Sequence, residues 1–309
     1  MAEPDLRHFL DDAQAAHAHR PRAIADELMA RASSLPTDET GAEAVRLAEH
    51  VMLGHLADAD ALQRFLLALP RRSASTDGAP AGAAAAVWSE ACARVQWALA
   101  ALAHDRPALL ALPALPDTTR WRALQNVVMA LAGTGRTAEA SARLARDESE
   151  ATAHAEPDAR RAYAACANNV ATELREGPRG DAARDALMLD AARIARRAWA
   201  AAGSWLQVER ADYQLARCHA VLGQGREALP YARACHEACV QHGAEADERF
   251  FAHEALWHAH RAAADGASAA QERGHMKALL NEIDDAEMHA WCARVLNDID
   301  TVVADAATR

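Results

Sequence analysis

Two cysteines and two histidines lie close together between Leu222 and Gly243, and they raise the question of a metal site. Cys235, Cys239 and His242 stand at positions i, i+4 and i+7 of one predicted helix, which places them on one face. His219 lies on the partner-facing side of the preceding helix, so four ligands for tetrahedral zinc are available. However, no closely paired cysteine knuckle is present, and helical spacing alone is a weak metal signal. We therefore expect both cysteines to be buried, reduced and metal-free packing residues, with the metal site as the alternative.

A second histidine-rich stretch runs from Phe250 to Arg261. His253 and His260 share one side of a predicted helix, whereas Glu254 and His258 form an i, i+4 pair on another side. Neither arrangement supplies three converging ligands by itself. We expect these side chains to be interface or groove residues.

Other local signatures of catalysis are missing. A carboxylate-bridged di-iron bundle needs two Glu-x-x-His motifs, and the chain has one, Glu272 with His275. The sequence has no G-x-S-x-G elbow, no phosphate-binding G-x-x-x-x-G-K-[ST] loop, no G-x-G-x-x-G after a strand and no H-E-x-x-H. We predict a protein that is not an enzyme and carries no cofactor.

The composition predicts an all-α globular protein. Hydrophobic residues make up 51% of the 309 residues and aromatic residues 5%, and Ala and Leu predominate, which favours helices over strands. A net charge of -11 without a basic run argues against nucleic acid as a partner. Because no secretory signal and no stretch of ~18 apolar residues is present, we expect a cytoplasmic chain with reduced cysteines and no membrane association.

A repeat begins near residue 121. Copies anchored on Leu124, Ala167, Asp212 and Ala255 are 43, 45 and 43 residues apart. Each copy has an apolar helix face followed by a Gly or Pro turn, and the first three continue with a small residue in the next helix. The pattern predicts four consecutive antiparallel helix hairpins over 121–282, with turns near positions 134, 178, 224 and 266.

The best copy, LARCHAVLGQGREALPYARAC, resembles the tetratricopeptide-repeat (TPR) superfamily. Its Ala216, Gly223, Ala228 and Cys235 fall where that family places small or turn residues. The resemblance covers the four copies, whose period exceeds the usual ~34 residues. It implies an all-α, right-handed α-solenoid of stacked antiparallel helix hairpins, TPR-like with longer than usual repeats.

Composition and repeat phase suggest three segments. Residues 1–70 form N-terminal helical hairpins, and 71–82, rich in Pro, Ser and Gly, form a loop or linker. Residues 83–309 form the TPR-like region with a C-terminal capping helix. The sequence leaves open whether the chain before residue 121 continues the same superhelix.

The first helix of each hairpin should line a concave surface. Positions two before and one, five and eight after each anchor face that surface, and they carry arginine and histidine but no acid. The predicted peptide-binding groove residues are Arg122, Gln125, Asn168, Thr172, Arg175, Arg210, Tyr213, Arg217, His253 and His260.

The predicted function is that of a scaffold whose groove binds an acidic peptide or a C-terminal carboxylate. Arginine forks bind carboxylates, and asparagine side chains satisfy a peptide backbone. Arg175, Arg210 and Arg217 would form the cationic centre, unless they pair with acids of adjacent hairpins. The alternative is a small-molecule or metal-binding helical protein that uses the His and Cys residues of 219–260. A third option is homo-oligomerisation through the apolar faces of terminal repeats.

Overall fold

The structure, a computed structural model, describes residues 3–70 and 82–307, and every regular element in these ranges is a helix. All of the predicted linker except Gly82 lies outside the described residues. No described helix is long and apolar enough to cross a lipid bilayer. Contacts divide the chain into two compact units, Met1–Cys166 and Ala167–Arg309, called here the first and the second unit.

The first unit contains short and medium helices. Their bounds are α1 Glu3–Ala16, α2 Pro21–Arg31, a 3-10 turn Ala32–Ser34, α3 Glu39–Glu49, a π-helix His50–His55, α4 Ala59–Ala68, α5 Ala83–Leu102, α6 Arg106–Ala111, α7 Asp117–Gly133, α8 Thr137–Arg146 and α9 Glu148–Thr152. The helices α3, α5 and α7 and the π-helix pack against one another. Therefore α3 and α5, which lie on either side of the predicted linker, belong to the same unit.

Aspartates begin several helices of the first unit. The side chain of Asp38 accepts a hydrogen bond from the backbone N–H of Gly41 at 3.0 Å, and Asp58 accepts one from Ala61 at 2.8 Å. These caps satisfy backbone donors that the first helical turn leaves unpaired. They set the start of α3 and of α4 on either side of the π-helix.

The helix that crosses the unit boundary and those of the second unit are 15 to 22 residues long. Their bounds are α10 Pro157–Glu176, α11 Ala182–Ala202, α12 Trp205–Val221, α13 Gly225–His242, α14 Ala246–Ala262, α15 Gly266–Leu280 and α16 Ala286–Ala307. Consecutive helices from α11 to α16 pack against their neighbours, and α12 also packs on α14.

The predicted hairpin turns are confirmed. They lie at 134–136, 177–181, 222–224 and 263–265, in the pairs α7 with α8, α10 with α11, α12 with α13, and α14 with α15. Gly135, Gly180 and Gly223 adopt positive φ at three of these turns, a conformation that glycine accepts without a Cβ clash. The repeat therefore locates the helix pairs within a few residues.

Gly225 allows close packing between successive hairpins. A Cβ built on this first residue of α13 would lie 2.2 Å from the backbone nitrogen of Ala263, in the turn of the next hairpin. Gly266 has the same place at the start of α15, but a Cβ there would meet nothing within 4 Å. The two glycines occupy equivalent positions, but only at Gly225 is a side chain sterically excluded.

We predict that Gly225→Ala lowers the free energy of unfolding by about 1–3 kcal/mol or more, because the backbone of Ala263 must move. Gly266→Ala should be neutral or stabilise by up to about 1 kcal/mol. Urea unfolding followed by circular dichroism measures both effects. Equal losses in the two variants would contradict the predicted packing.

Candidate functional site

Two adjoining hollows in the second unit form one groove. Their volumes are about 610 and 530 Å³, and they share Arg175, Glu176, Tyr213, Phe251 and Trp291. The helices α10, α12 and α14 contribute one wall, and α16 contributes the other. The groove defined by these two hollows is the candidate functional site.

The groove has an aromatic floor. The ring of Phe251 lies between Tyr213, edge-on at 6.2 Å, and Trp291 at 5.4 Å. Trp291 remains 49% exposed, and Val302 of the same helix is 45% exposed. Large apolar side chains that stay exposed together along a concave surface are typical of binding sites.

The structure brings together six of the ten predicted groove residues. They are Asn168, Thr172, Arg175, Arg210, Tyr213 and Arg217. The amide of Gln214 donates to the hydroxyl of Thr172 at 3.0 Å and ties α12 to α10 within this wall. These six residues lie in one groove because the helix period places them on the same faces of α10 and α12. That they bind a ligand stays a prediction.

The predicted groove positions carry no acid, but acids at other positions also line the groove. Glu254 of α14 lies in it, 4% exposed, and accepts hydrogen bonds from Arg217 and from the Tyr213 hydroxyl, the latter at 2.8 Å. Burial acts to raise the pKa of Glu254, but the Arg217 charge and hydrogen bonds from His258 and Tyr213 outweigh it and lower the pKa to about 2. Arg217 is therefore neutralised by a buried carboxylate.

Arg210 is also paired with an acid of the next hairpin. Its guanidinium binds the carboxylate of Glu248, with Nε to Oε1 at 3.1 Å. The Arg210 side chain is 59% exposed, so this pair is screened by solvent. The predicted cationic centre thus reduces to Arg175, because the acids of α14 occupy the other two arginines.

The error has a structural cause in the register of the fourth repeat. The hydrogen-bonded residues Tyr213 and Glu254 are 41 positions apart, two fewer than the anchor spacing used for the prediction. A spacing of 41 transfers the groove positions of α12 to a set in α14 that does line the groove. This set is Phe251, Glu254, His258 and Arg261.

The same shift explains why His253 and His260 lie outside the groove. His253 Nδ1 is 2.6 Å from Glu272 Oε2 of α15, and its ring lies against His275. His253 and His275 line a separate hollow of about 380 Å³. His260 Nδ1 lies 3.4 Å from a carboxylate oxygen of Asp265, at the end of α14. Neither histidine lines the two hollows of the groove.

Arg122 and Gln125 belong to the first unit. Arg122 is exposed, and its carbonyl oxygen accepts a hydrogen bond from Arg94 at 3.4 Å. Gln125 is partly buried. Neither residue lines the two hollows of the second unit.

Some cationic donors of the groove are left without an acceptor. Arg175 Nη1 and Arg217 Nε are buried and have no hydrogen-bond partner among the described residues. Arg175 is otherwise paired with the exposed Glu176 at 3.2 Å. Arg261 lies over the Trp257 ring at 5.3 Å. Buried donors of this kind are uncommon in folded proteins and point to an oxygen ligand or water.

The predicted burial of Cys235 and Cys239 is confirmed, and both are free thiols. They do more than fill space, since both lie against the buried carboxyl group of Glu209. Cys235 Sγ donates to Glu209 Oε1 at 2.7 Å, and Cys239 Sγ lies 3.6 Å from the same oxygen. Hydrogen bonding with Cys239, together with burial, raises the pKa of the Cys235 thiol, which disfavours the nucleophilic thiolate.

The other two members of the suggested zinc set point elsewhere. His219 Nδ1 is 2.7 Å from the Gln224 side-chain oxygen, and its ring stacks on Tyr231. His242 stacks on Trp205 with ring centroids 4.5 Å apart. Neither joins the cysteines in a group of three potential ligands within the part of the chain that the structure describes.

Such groups occur at two other places among the described residues. Their ligand atoms lie within 4.8 Å of one another in the sets His253, Glu272 and His275, and His17, His50 and His55. The first contains the Glu-x-x-His motif that the sequence shows. The second was missed by sequence reasoning, because its members follow no repeat position and no metal-binding spacing.

Glu209 was also missed, although it lines the groove. Burial raises its pKa to about 7, against the thiol hydrogen bonds, which act to lower it. One signal in the sequence could have identified it: a glutamate close to the buried stripe of α12, where apolar residues are expected.

Comparison with known proteins provides no assignment. The chain matches no protein-family model, and no curated protein matches it at a significant level.

The buried and the exposed arginine should respond differently to mutation. We predict that Arg217→Ala lowers the free energy of unfolding by about 3–5 kcal/mol, because it leaves the Glu254 charge buried and unpaired. Arg210→Ala should cost about 1 kcal/mol or less. Urea unfolding measures both. The double variant Arg217→Met with Glu254→Gln should recover most of the loss; failure to recover it would show that the pair is not what destabilises the single variant.

Glu209 should make stability depend on pH. Its pKa is raised on folding, so its protonated form favours the folded state below pH 4.5, and this contribution is lost as pH rises to about 7. The loss is about 1.4 kcal/mol per unit of pKa difference. We predict that Glu209→Gln removes this loss. The variant should gain stability relative to the unmodified chain between pH 5 and pH 8 in urea unfolding.

The matched control is Glu237→Gln, which changes an exposed glutamate of α13. Its stability difference from the unmodified chain should stay constant over the same pH range. A constant difference for Glu209→Gln as well would contradict the assigned titration.

Proposed function

We propose that this chain is a non-enzymatic scaffold that binds an extended segment of a partner protein in the groove of the second unit. The observation that carries the proposal is the pairing, in one groove, of an exposed aromatic floor with a buried guanidinium donor that lacks an acceptor. An apolar side chain of the ligand would pack on Phe251 and Trp291. A carboxylate of the ligand would bind Arg175.

The charges of the groove narrow the ligand class. Arg210 and Arg217 are paired with Glu248 and Glu254. The other charged residues that line the groove are four acids and two arginines, namely Glu176, Glu209, Asp247, Asp298, Arg175 and Arg261. A strongly acidic peptide would therefore meet more acids than free cations. A ligand with a single carboxylate, such as a chain terminus, next to an apolar residue fits better. Side-chain amides along the same wall suit the backbone of an extended peptide.

The architecture proposed for this function is a right-handed, TPR-like α-solenoid in a cytoplasmic protein. Support comes from the four helix pairs at the predicted turns and from the packing of consecutive helices in the second unit. A groove formed by the first helices of successive hairpins is the surface on which such repeats bind ligands.

A second candidate is binding of a small molecule or metal by the histidines of the 219–260 region. The observation that favours it is the convergence of His253 with Glu272 and His275 beside a hollow of about 380 Å³. This site is separate from the groove, so the two candidates respond to different substitutions.

Selection from a library of random dodecapeptides displayed with free C-termini tests the first proposal. We expect selected peptides to end in a carboxylate close to an aromatic or aliphatic residue. Arg175→Gln and Trp291→Ala should each weaken their binding at least about tenfold, which corresponds to 1.4 kcal/mol. Fluorescence anisotropy of one labelled peptide measures the change.

Arg233→Gln and Val240→Ala serve as controls, because both residues are exposed on α13 and line neither hollow. They should leave peptide affinity unchanged. Peptides that bind Arg175→Gln and Trp291→Ala as tightly as the unmodified chain would overturn the proposal, and so would a selection that enriches none.

A further inference from the structure

Three histidines of the first unit converge on one point. His17 follows α1, and His50 and His55 are the first and last residues of the π-helix. His17 Nδ1 lies 2.9 Å from His55 Nε2, and the ring centroids of the three side chains are 4.6–5.1 Å apart. All three side chains are partly buried, so the cluster is neither a core contact nor a freely solvated surface group.

The π-helix is what brings two of these histidines to one side. On an α-helix, residues five apart point about 140° away from each other. Here the backbone N–H of Leu56 donates to the carbonyl oxygen of Val51, five residues back, at 3.0 Å. This wider turn rotates His55 toward His50. Single π-helical turns inside α-helices are frequently found at functional sites.

A buried hydrogen-bond chain fixes the orientation of His50. Asn126 Nδ2 donates to Glu49 Oε1 at 2.8 Å, so its oxygen faces His50 Nδ1 at 3.0 Å. An amide oxygen only accepts, so His50 Nδ1 is the donor of this hydrogen bond, which leaves Nε2 as the ring nitrogen available to a ligand. Glu49 is fully buried and is held by Arg94 Nε at 2.7 Å.

Gly54 makes room for this chain. A Cβ at position 54 would lie 2.8 Å from Asn126 Oδ1 and 3.3 Å from His50 Nδ1. Any other residue would displace the amide that orients the histidine. The orientation of His50 therefore depends on two other residues of the first unit, Asn126 and Gly54.

We propose that His17, His50 and His55 bind one divalent transition-metal ion, best matched by zinc. Three imidazole nitrogens satisfy three positions of tetrahedral zinc. The chain from Glu49 through Asn126 to His50 is the kind of outer support that orients a metal-bound histidine. Because the cluster is partly open, the fourth position falls to water or to an exogenous ligand.

Titration of the purified chain with zinc sulfate against a chromophoric chelator tests the proposal. We expect one tightly bound zinc per cluster, and His17→Ala, His50→Ala and His55→Ala should each weaken it by about 100-fold or more. Asn126→Ala keeps all three ligands and should weaken binding by about 10–100-fold. Cobalt at the same site should give visible absorption bands of a four- or five-coordinate ion, and these bands should be lost in His17→Ala.

Two controls locate the ion. His8→Ala removes an exposed histidine of α1, and His275→Ala removes a member of the other three-ligand group. Neither should change zinc binding at the proposed site. His17 lies beyond the end of α1 and is partly exposed, so His17→Ala is expected to fold even if His50→Ala does not.

Zinc binding that survives His17→Ala and is abolished by His275→Ala would place the ion at the other group and overturn the proposal. Absence of binding below about 10 μM zinc in the unmodified chain would also overturn it, leaving the three histidines as a hydrogen-bonded cluster. Neither result bears on the groove of the second unit, because the groove involves none of these residues.

Discussion

A buried carboxylate must meet a cation, and this requirement constrains how neighbouring helices lie in both units of the chain. In the second unit, Glu254 of α14 reaches Arg217 of α12. In the first, Glu49 of α3 reaches Arg94 of α5. An unpaired charge at either glutamate would cost several kcal/mol, so sliding either helix along its neighbour is strongly disfavoured.

These pairs also decide the chemistry of the surfaces beside them. The bond to Glu254 takes Arg217 out of the set of free cations and leaves Arg175, whose acidic partner Glu176 is exposed, as the arginine of the groove without a buried carboxylate partner. The bond to Glu49 holds the carboxylate that orients Asn126 and, through it, His50. In each unit a structural ion pair thus supports a candidate site without being the site itself.

Small residues make such close pairing of helices feasible. Gly225 lets the start of α13 approach the turn that follows α14, and Gly54 lets Asn126 approach the π-helix. Buried alanines occupy many other helix contacts, including Ala216, Ala228 and Ala255. Large side chains at these positions would separate the helices and leave the buried polar groups too far apart to bond.

Local sequence determined the helical class, the four helix pairs and their turns, because helix periodicity and Gly or Pro breaks act within a few residues. The same periodicity identified the groove face of α12 and the adjoining residues of α10. It failed in α14, where a two-residue change in repeat spacing moved Glu254 and Phe251 into the groove and His253 out of it. Tertiary packing alone decided which arginines are paired, where Glu209 is buried, and that a π-helical turn gathers His17, His50 and His55. The arginine pairing, the burial of Glu209 and the histidine cluster all depend on contacts between residues tens of positions apart in the chain. Local sequence patterns contain no information on the distances between such side chains.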